Sequence, residues 1–474
     1  MVPPLDRGHL YKEWDLSGVD SVSPPMGLLF LAGMIREHSG IPTIHDAYAR
    51  RMTLEQTIKE VLGTDPDVIG VTCMTPSYPG AKMFIQQIKK ISPKIPVVLG
   101  GPHITALGEE VMEDITELDF GVLREGEITI VELLEKISNN GDLSKVDGIL
   151  YRSGAGIVRT KERAFIDNLD VLPFPAWDLL PSLTEHYRMS IIGTKGSRAT
   201  TLLTSRGCPG RCAFCDVGGV GRRIRGFSAE YVLKMIEILI NDYGINDFLV
   251  YDDNFLSLKS RAKQICEEII RKRWNIHWSC EARVDMVDPE TLTLMKKAGC
   301  WQIEYGIESG SQKMLDLMRK KITLEQVEKA LRWTKEAGIE TRGNFIFGFP
   351  GETKETLEET IRFALKIDLD YFQQTFMTPY PGSAVYSEIE KYGSFDRNIE
   401  KMNNLTVNFI PAGLTAEELK YYSSEAFRKF YFRPRIIFHH LGKLRTYEDI
   451  QRLFIAFTAF LKTIIKMAFL KKQS

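Results

Sequence analysis

Between about residues 26 and 136, short apolar runs alternate with segments whose apolar residues recur at three and four positions. The runs at 42–45, 68–73, 96–99 and 120–123 predict strands, and LEQTIKEVL and GAKMFIQQIKKI between them predict helices. PPMGLLFLAGMIREHSG opens on prolines suited to a first helical turn and closes on a C-capping glycine. Strands alternating with helices imply an α/β fold with a doubly wound parallel sheet, whose ligands lie beyond the carboxyl ends of the strands. Residues 146–195 break this rhythm. VDGILYRS and GIVRTKERAF read as a hairpin, and NLDVLPFPAWDLLP as a connector without helical period. A second alternating series places strands at 199–204, 247–251, 277–281, 301–306, 340–347 and 371–376, six βα units that suit a partial parallel barrel with its chemistry on the loops after the strands. After about 400 the strands are expected to stop and helices to follow. The expected organisation is a doubly wound domain at 1–145, a linker with a hairpin at 146–195, a barrel core at 196–400 and a helical region at 401–474.

Composition changes this picture little. Hydrophobic residues make up 44% and charged residues 26% of 474, the balance of a globular protein of two or three domains. A net charge of −1 calls for no nucleic-acid partner. The first residues lack a basic and then apolar leader, so the expected compartment is the cytoplasm.

The cysteines change it most. Three of seven fall in TSRGCPGRCAFCDVGG, directly after the first barrel strand, while Cys73, Cys266, Cys280 and Cys300 are scattered and suit buried packing. Cys208, Cys212 and Cys215 can wrap one metal centre. A closed zinc site wants four ligands, and no fourth lies nearby in sequence, although a distant cysteine could supply one. A [4Fe–4S] cluster is normally held by four thiolates, so three leave one iron open.

CxxxCxxC with Phe214 before the last cysteine, on a loop after the first barrel strand, resembles the signature of the radical S-adenosylmethionine (SAM) superfamily. The resemblance continues through FLVYDDNFLSLKSRAKQIC, EARVDMVDPETLTLMKKAGCWQIEYGIESGSQKML and GNFIFGFPGETKETLEETI. It implies that SAM chelates the open iron, with Asp252, Asp253 and Asn254 near its amino group, Arg283 on its carboxylate, Glu308 on its ribose and Gly348 beneath its adenine. Each also has a plain structural reading: Asp252 or Asp253 as a helix cap, Glu308 as a solvated turn residue.

PPMGLLFLAG, HDAY, VIGVTCMTPSY, VVLGGPHIT and LREGEITIVELL are similar, in order, to the cobalamin-binding domain of the B12-dependent branch of that superfamily. Gly100 and Gly101 would admit a flat ligand, and Thr72, Thr75 and Ser77 would offer it hydroxyls; turn glycines and a helix cap are the structural alternatives. The motif DxHxxG is absent, since Asp46 is followed by Ala47, Tyr48, Ala49 and Arg50. Cobalamin without histidine ligation is therefore implied, with His103 a loop histidine. Such domains usually open with an apolar strand before a VPP-like segment; here Val2, Pro3 and Pro4 follow Met1 directly, so either that strand is missing from this version or the start site is misassigned.

The resemblance implies a 5′-deoxyadenosyl radical and C-methylation of an unactivated carbon. Radical oxidation or cyclisation, as in enzymes like the magnesium-protoporphyrin ester cyclase, is the second reading, and a zinc-binding regulatory or interaction protein the third. The radical readings imply a small-molecule or lipid-like substrate and an external electron donor such as flavodoxin or ferredoxin. RLFIAFTAFLKTIIKMAFLKKQS is apolar but interrupted by Lys462 and Lys466; it could lie on a membrane as an amphipathic helix or pack on the barrel.

Overall fold

The computed structural model describes residues 2, 21–154, 156–189, 193–196, 198–216 and 219–442. The expectation for the C-terminal amphipathic helix lies outside the described residues.

The first sheet runs in the order β1 (Ile69–Thr72), β2 (Val97–Gly100), β3 (Phe120–Val122), β4 (Ile149–Ser153), β5 (Gly156–Arg159). β1 to β3 are parallel, and β4 and β5 add antiparallel to the edge. The hairpin read as part of a linker thus extends the first sheet. Among the described residues the strand expected at 42–45 does not form; just after it, Asp46 makes a parallel bridge with Val2. Helix Met26–Glu37 forms as expected, with Gly40 N returning to Ile35 O at 2.9 Å.

The second sheet holds β6 (Ala199–Leu202), β9 (Asp247–Val250), β10 (His277–Ala282), β11 (Cys300–Glu308), β12 (Glu340–Phe347) and β13 (Tyr371–Phe376), all parallel and adjacent in chain order. β6 and β13 do not pair, so six strands make an open barrel. Two short strands, β7 (Ser205–Arg206) and β8 (Arg225–Gly226), pair at the base of the loop between β6 and β9. β6 and β9 are buried on both faces; β12 alternates, its outward residues packed under helices and Glu340, Arg342, Asn344 and Ile346 facing a partly open lumen. The outer helices are fixed by side-chain caps, for example Thr323 with Gln326 and Asp288 on Thr291 N.

Strands do not stop at 400. β14 (Gly393–Phe395) pairs with β15 (Phe409–Pro411), too short a run to stand out by period. Beyond them, helix Ala416–Tyr431 closes the open edge of β13: Tyr431 Oη accepts from Phe372 N at 3.1 Å and donates to Phe372 O at 2.7 Å. A side chain thereby satisfies backbone groups on the edge of β13 that faces away from β12. Among the described residues no helix is long and apolar enough to cross a membrane.

Candidate functional site

The loop from β7 to β8 carries the three cysteines. It is anchored at its root by Asp252, which is almost fully buried at the end of β9. Its Oδ1 accepts from Thr204 N at 2.6 Å and Ser205 N at 2.9 Å, and its Oδ2 from Ser205 Oγ at 2.7 Å, with Arg261 alongside at 3.5 Å. Asp252 was a candidate for SAM's amino group. Both its oxygens are instead committed to the chain entering the cysteine loop. At the tip, Ala213 N donates to Met318 O at 2.9 Å, and Val385 N donates to Ala213 O at 3.3 Å, so the loop is tied to the segments after β11 and β13.

Cys208, Cys212 and Cys215 are free thiols, each half-buried. A Cβ on Gly210 would lie 3.3 Å from Cys208 Sγ and 3.8 Å from Cys212 Sγ, so both thiols border the same small residue. Burial pushes the Cys212 thiol up, against the pull of Lys320 and Arg283; burial, Cys212 and Asp253 push Cys215 to about 12. Iron binding would have to displace the protons that burial holds on Cys212 and Cys215. Among the described residues no three His, Cys, Asp or Glu side chains converge on one ion-sized point. A four-iron cluster is a larger object that bridges more widely spaced thiolates, and the loop, with cations facing it, fits such a group.

Around the thiols stand Arg283, Glu308, Lys320, Asp253 and Phe214. Glu308 is buried, non-glycine and left-handed (φ 67°), a backbone conformation that the surroundings must hold in place. Its Oε1 meets the buried Lys320 Nζ at 2.6 Å, and that ammonium lies 5.9 Å from the Phe214 ring centre. Phe214 packs edge-on to Phe349 at 6.5 Å. Lys320 was not singled out by sequence; it stands in the run MRKK, which looks like a solvated basic stretch. Arg283 is held by Asp285, two bonds of 2.9 Å, and donates to Lys320 O at 3.1 Å. Asp253 faces Cys215, its carboxyl raised by burial and by Asp252. Both polar atoms of the Asn254 side chain are buried without a partner. Gly348 is required by its own backbone (φ 87°), and a Cβ there would point at Leu419, 3.3 Å away, instead of into the site. Its N–H is bonded to Glu352 Oε2 at 2.6 Å.

Below this ring, register aligns Glu281, Glu304 and Arg342 across β10, β11 and β12, and Gly306 with Asn344 one layer on. Arg342 pairs with Glu304 at 3.0 Å, and Asn344 Nδ2 also donates to Glu304. Burial and the neighbouring Glu304 push the Glu281 carboxyl to about 8, so it is largely protonated at neutral pH. The lumen is polar. A groove of about 680 Å3 beside Asp170, Phe174, Ser228 and Tyr231 includes none of these residues.

At the carboxyl ends of β1 and β2, Met74 is exposed and Thr72 and Gly100 are partly so. Gly101 (φ 105°) serves the chain itself, since a Cβ there would lie 2.5 Å from Cys73 O. Thr75 Oγ1 is 3.1 Å from His103 Nδ1, and Ser77 Oγ accepts from Met74 N at 3.0 Å within its own turn. Their hydroxyls thus already have protein partners. His103 is buried against Tyr78, and burial lowers its pKa to about 4, so it is neutral. Met74, Thr72 and Gly100 thus remain at least partly exposed at this strand end.

The cysteine loop packs against the segments that follow β2 and β5. A Cβ on Gly219, in the cysteine loop, would lie 3.8 Å from Thr105 Cγ2, which follows β2, and one on Gly221 would lie 2.9 Å from Phe165. Arg206 and Arg225, at the base of the cysteine loop, pair with Glu125 and Glu127, which follow β3.

An open parallel barrel with three thiols at its mouth, faced by a doubly wound domain, defines a cluster-bearing enzyme with a second ligand face. Residues 202–364 match the radical SAM superfamily model and residues 16–134 the B12 binding domain model. An uncharacterized methyltransferase of Pyrococcus horikoshii is 34% identical over 90% of this chain and 92% of its own length. The anaerobic magnesium-protoporphyrin IX monomethyl ester cyclase of Rubrivivax gelatinosus is 29% identical over 87% of this chain and 75% of its own. Among solved structures, the cobalamin-dependent SAM radical enzyme OxsB, with aqua-cobalamin and SAM bound, superposes with a TM-score of 0.74 at 19% identity, covering 96% of this chain and 71% of OxsB. The methyltransferase TsrM of Kitasatospora setae, with cobalamin and a [4Fe–4S] cluster bound, gives 0.65 at 22% identity, covering 78% and 72%. The chain belongs to the radical SAM superfamily, in the branch that carries a B12-binding domain.

Proposed function

We propose that this chain is a cobalamin-dependent radical SAM methyltransferase that acts on an unactivated carbon of a small molecule. The observation that supports the reading is the contact of the cysteine loop with the segment after β2, Gly219 against Thr105. When bound, the [4Fe–4S] cluster, SAM and cobalamin would supply reductive cleavage to a 5′-deoxyadenosyl radical and a methyl donor.

The chain supplies placement and exclusion of water. Cys208, Cys212 and Cys215 would hold the cluster. Arg283 and the Glu308–Lys320 pair would receive SAM's carboxylate and ribose, and Asp253 its amino group, while Asn254 offers unpaired polar atoms at the same strand end. Glu281, Glu304, Arg342 and Asn344 would orient a polar part of the substrate, with Glu281 donating its proton in a hydrogen bond. That lining favours a polar small molecule over a wholly apolar lipid. A cytoplasmic setting with flavodoxin or ferredoxin as electron donor completes the reading.

Incubation with SAM, cobalamin and reductant should give S-adenosylhomocysteine besides 5′-deoxyadenosine. The likeness to the cyclase favours a second reading, oxidation or cyclisation, for which 5′-deoxyadenosine would form with substrate while S-adenosylhomocysteine stayed absent. One equivalent of zinc without iron in anaerobically purified protein would overturn both and leave the regulatory zinc reading.

A further inference from the structure

Four charged side chains are buried together where the two halves of the molecule abut: Glu125 and Glu127 after β3, Arg206 on β7 and Arg225 on β8. Arg206 reaches Glu125 at 3.0 Å and Glu127 at 2.6 Å; Arg225 reaches Glu125 at 2.8 and 2.7 Å. Backbone groups extend the network, since Ile166 N donates to Glu125 at 2.9 Å, and Arg225 donates to Ile166 O at 2.8 Å and Val220 O at 2.7 Å, while Glu127 Oε2 is buried without a partner. The guanidinium groups also cover rings, Arg206 at 5.3 Å from Phe30 and Arg225 at 4.8 Å from Phe165.

Burying four charges carries a desolvation cost that mutual attraction offsets only with good geometry, and apolar packing would stabilise such an interface at least as well. What the ion pairs add is direction. A guanidinium fork donates to its carboxylates along fixed directions, so the network sets both the spacing and the rotation of the elements it joins. One of those elements enters the cysteine loop, with Arg206 two residues before Cys208. The other is the turn leaving the first sheet's ligand face, where Arg124 N donates to Thr105 Oγ1 at 2.9 Å.

We infer that Glu125, Glu127, Arg206 and Arg225 form a positioning latch that fixes the cobalamin face at one distance and angle from the cluster. The inference rests on the proposed cofactors. The latch acts through the two loops.

Cob(II)alamin and a reduced [4Fe–4S] cluster are both paramagnetic, so the spin relaxation of one reports its distance from the other. The test compares reconstituted wild-type full-length chain with Glu127→Gln, Arg206→Lys and, as a control, Arg223→Gln, which removes an exposed pair to Asp167. Iron content, cobalamin content and cluster-enhanced relaxation of cob(II)alamin are measured for each. The latch predicts enhanced relaxation in wild type and in Arg223→Gln. Glu127→Gln and Arg206→Lys should retain both cofactors and lose the enhancement or spread it over a range. Unchanged relaxation in both latch variants overturns the inference. So does outright loss of either cofactor from both, which would make the network a folding element. Wild-type chain that holds both cofactors without enhancement contradicts the facing arrangement itself, and wild-type chain that binds no cobalamin overturns the proposed function with it.

Discussion

Asp252→Asn separates a structural clasp from a ligand. In the wild-type chain the carboxylate takes four donors at 2.5 to 2.9 Å from Thr204 and Ser205, and it faces Arg261 at 3.5 Å. An asparagine presents one oxygen, and its amide N–H would point at one of those donors. At least one buried donor is then orphaned, at about 1–3 kcal/mol, and the buried Arg261 loses its counter-charge. Breaking a buried ion pair by removing one partner costs about 3–5 kcal/mol, which bounds the combined effect for groups sharing one network. At about 2–4 °C per kcal/mol for a domain of this size, apo Asp252→Asn should melt on the order of 10 °C below wild type. The assay is thermal unfolding of apo protein followed by circular dichroism, with SAM binding measured on the reconstituted variant below its transition. A melting temperature within about 2 °C of wild type, with weakened SAM binding, would refute the clasp and restore Asp252 as a ligand.

Replacing Cys208, Cys212 or Cys215 singly by alanine should abolish the broad iron–sulfur absorbance and SAM cleavage together, read by spectroscopy and product analysis. Lys320→Met should destabilise the chain by about 3–5 kcal/mol in urea unfolding, because it strands Glu308 as a buried unpaired carboxylate; an unchanged midpoint would remove Lys320 from the site. Glu352 is held by burial at about 8, above its ordinary 4.5, despite hydrogen bonds from Gly348, Phe349 and Thr356. The native state therefore keeps a proton that the unfolded state releases, a contribution fully present below about 4.5 and lost as pH rises through about 8. Glu352→Gln should flatten the fall of stability between pH 5 and 8 in denaturant titrations, and an unaltered slope would contradict the assignment.

The barrel was legible because its strands have simple burial. β6 and β9 are buried on both faces and carry short apolar stretches, and caps such as Asp288 and Thr323 mark helix starts in plain sequence. The cysteine loop was legible because its ligands lie close together in the chain. Contacts made at long range were not. Arg206 and Arg225 lie 81 and 100 residues from Glu125, and no local pattern joins them. The pair Asp252 and Asp253 shows why site residues blur: neighbours on a strand end point opposite ways, so one clasps the backbone while the other faces Cys215, and composition does not say which. Gly101 illustrates the same limit, since its missing side chain makes room for Cys73 and not for a ligand.

The central claim is that three thiols at the barrel mouth hold a cluster that cleaves SAM beside a cobalamin face. Its most direct test is mass-spectrometric quantification of 5′-deoxyadenosine and S-adenosylhomocysteine after anaerobic incubation of iron- and cobalamin-reconstituted chain with SAM and reductant. Both products should form with the wild-type chain and 5′-deoxyadenosine should vanish with Cys212→Ala. Iron-replete wild-type protein that yields no 5′-deoxyadenosine, or yields as much as the variant, would contradict the account.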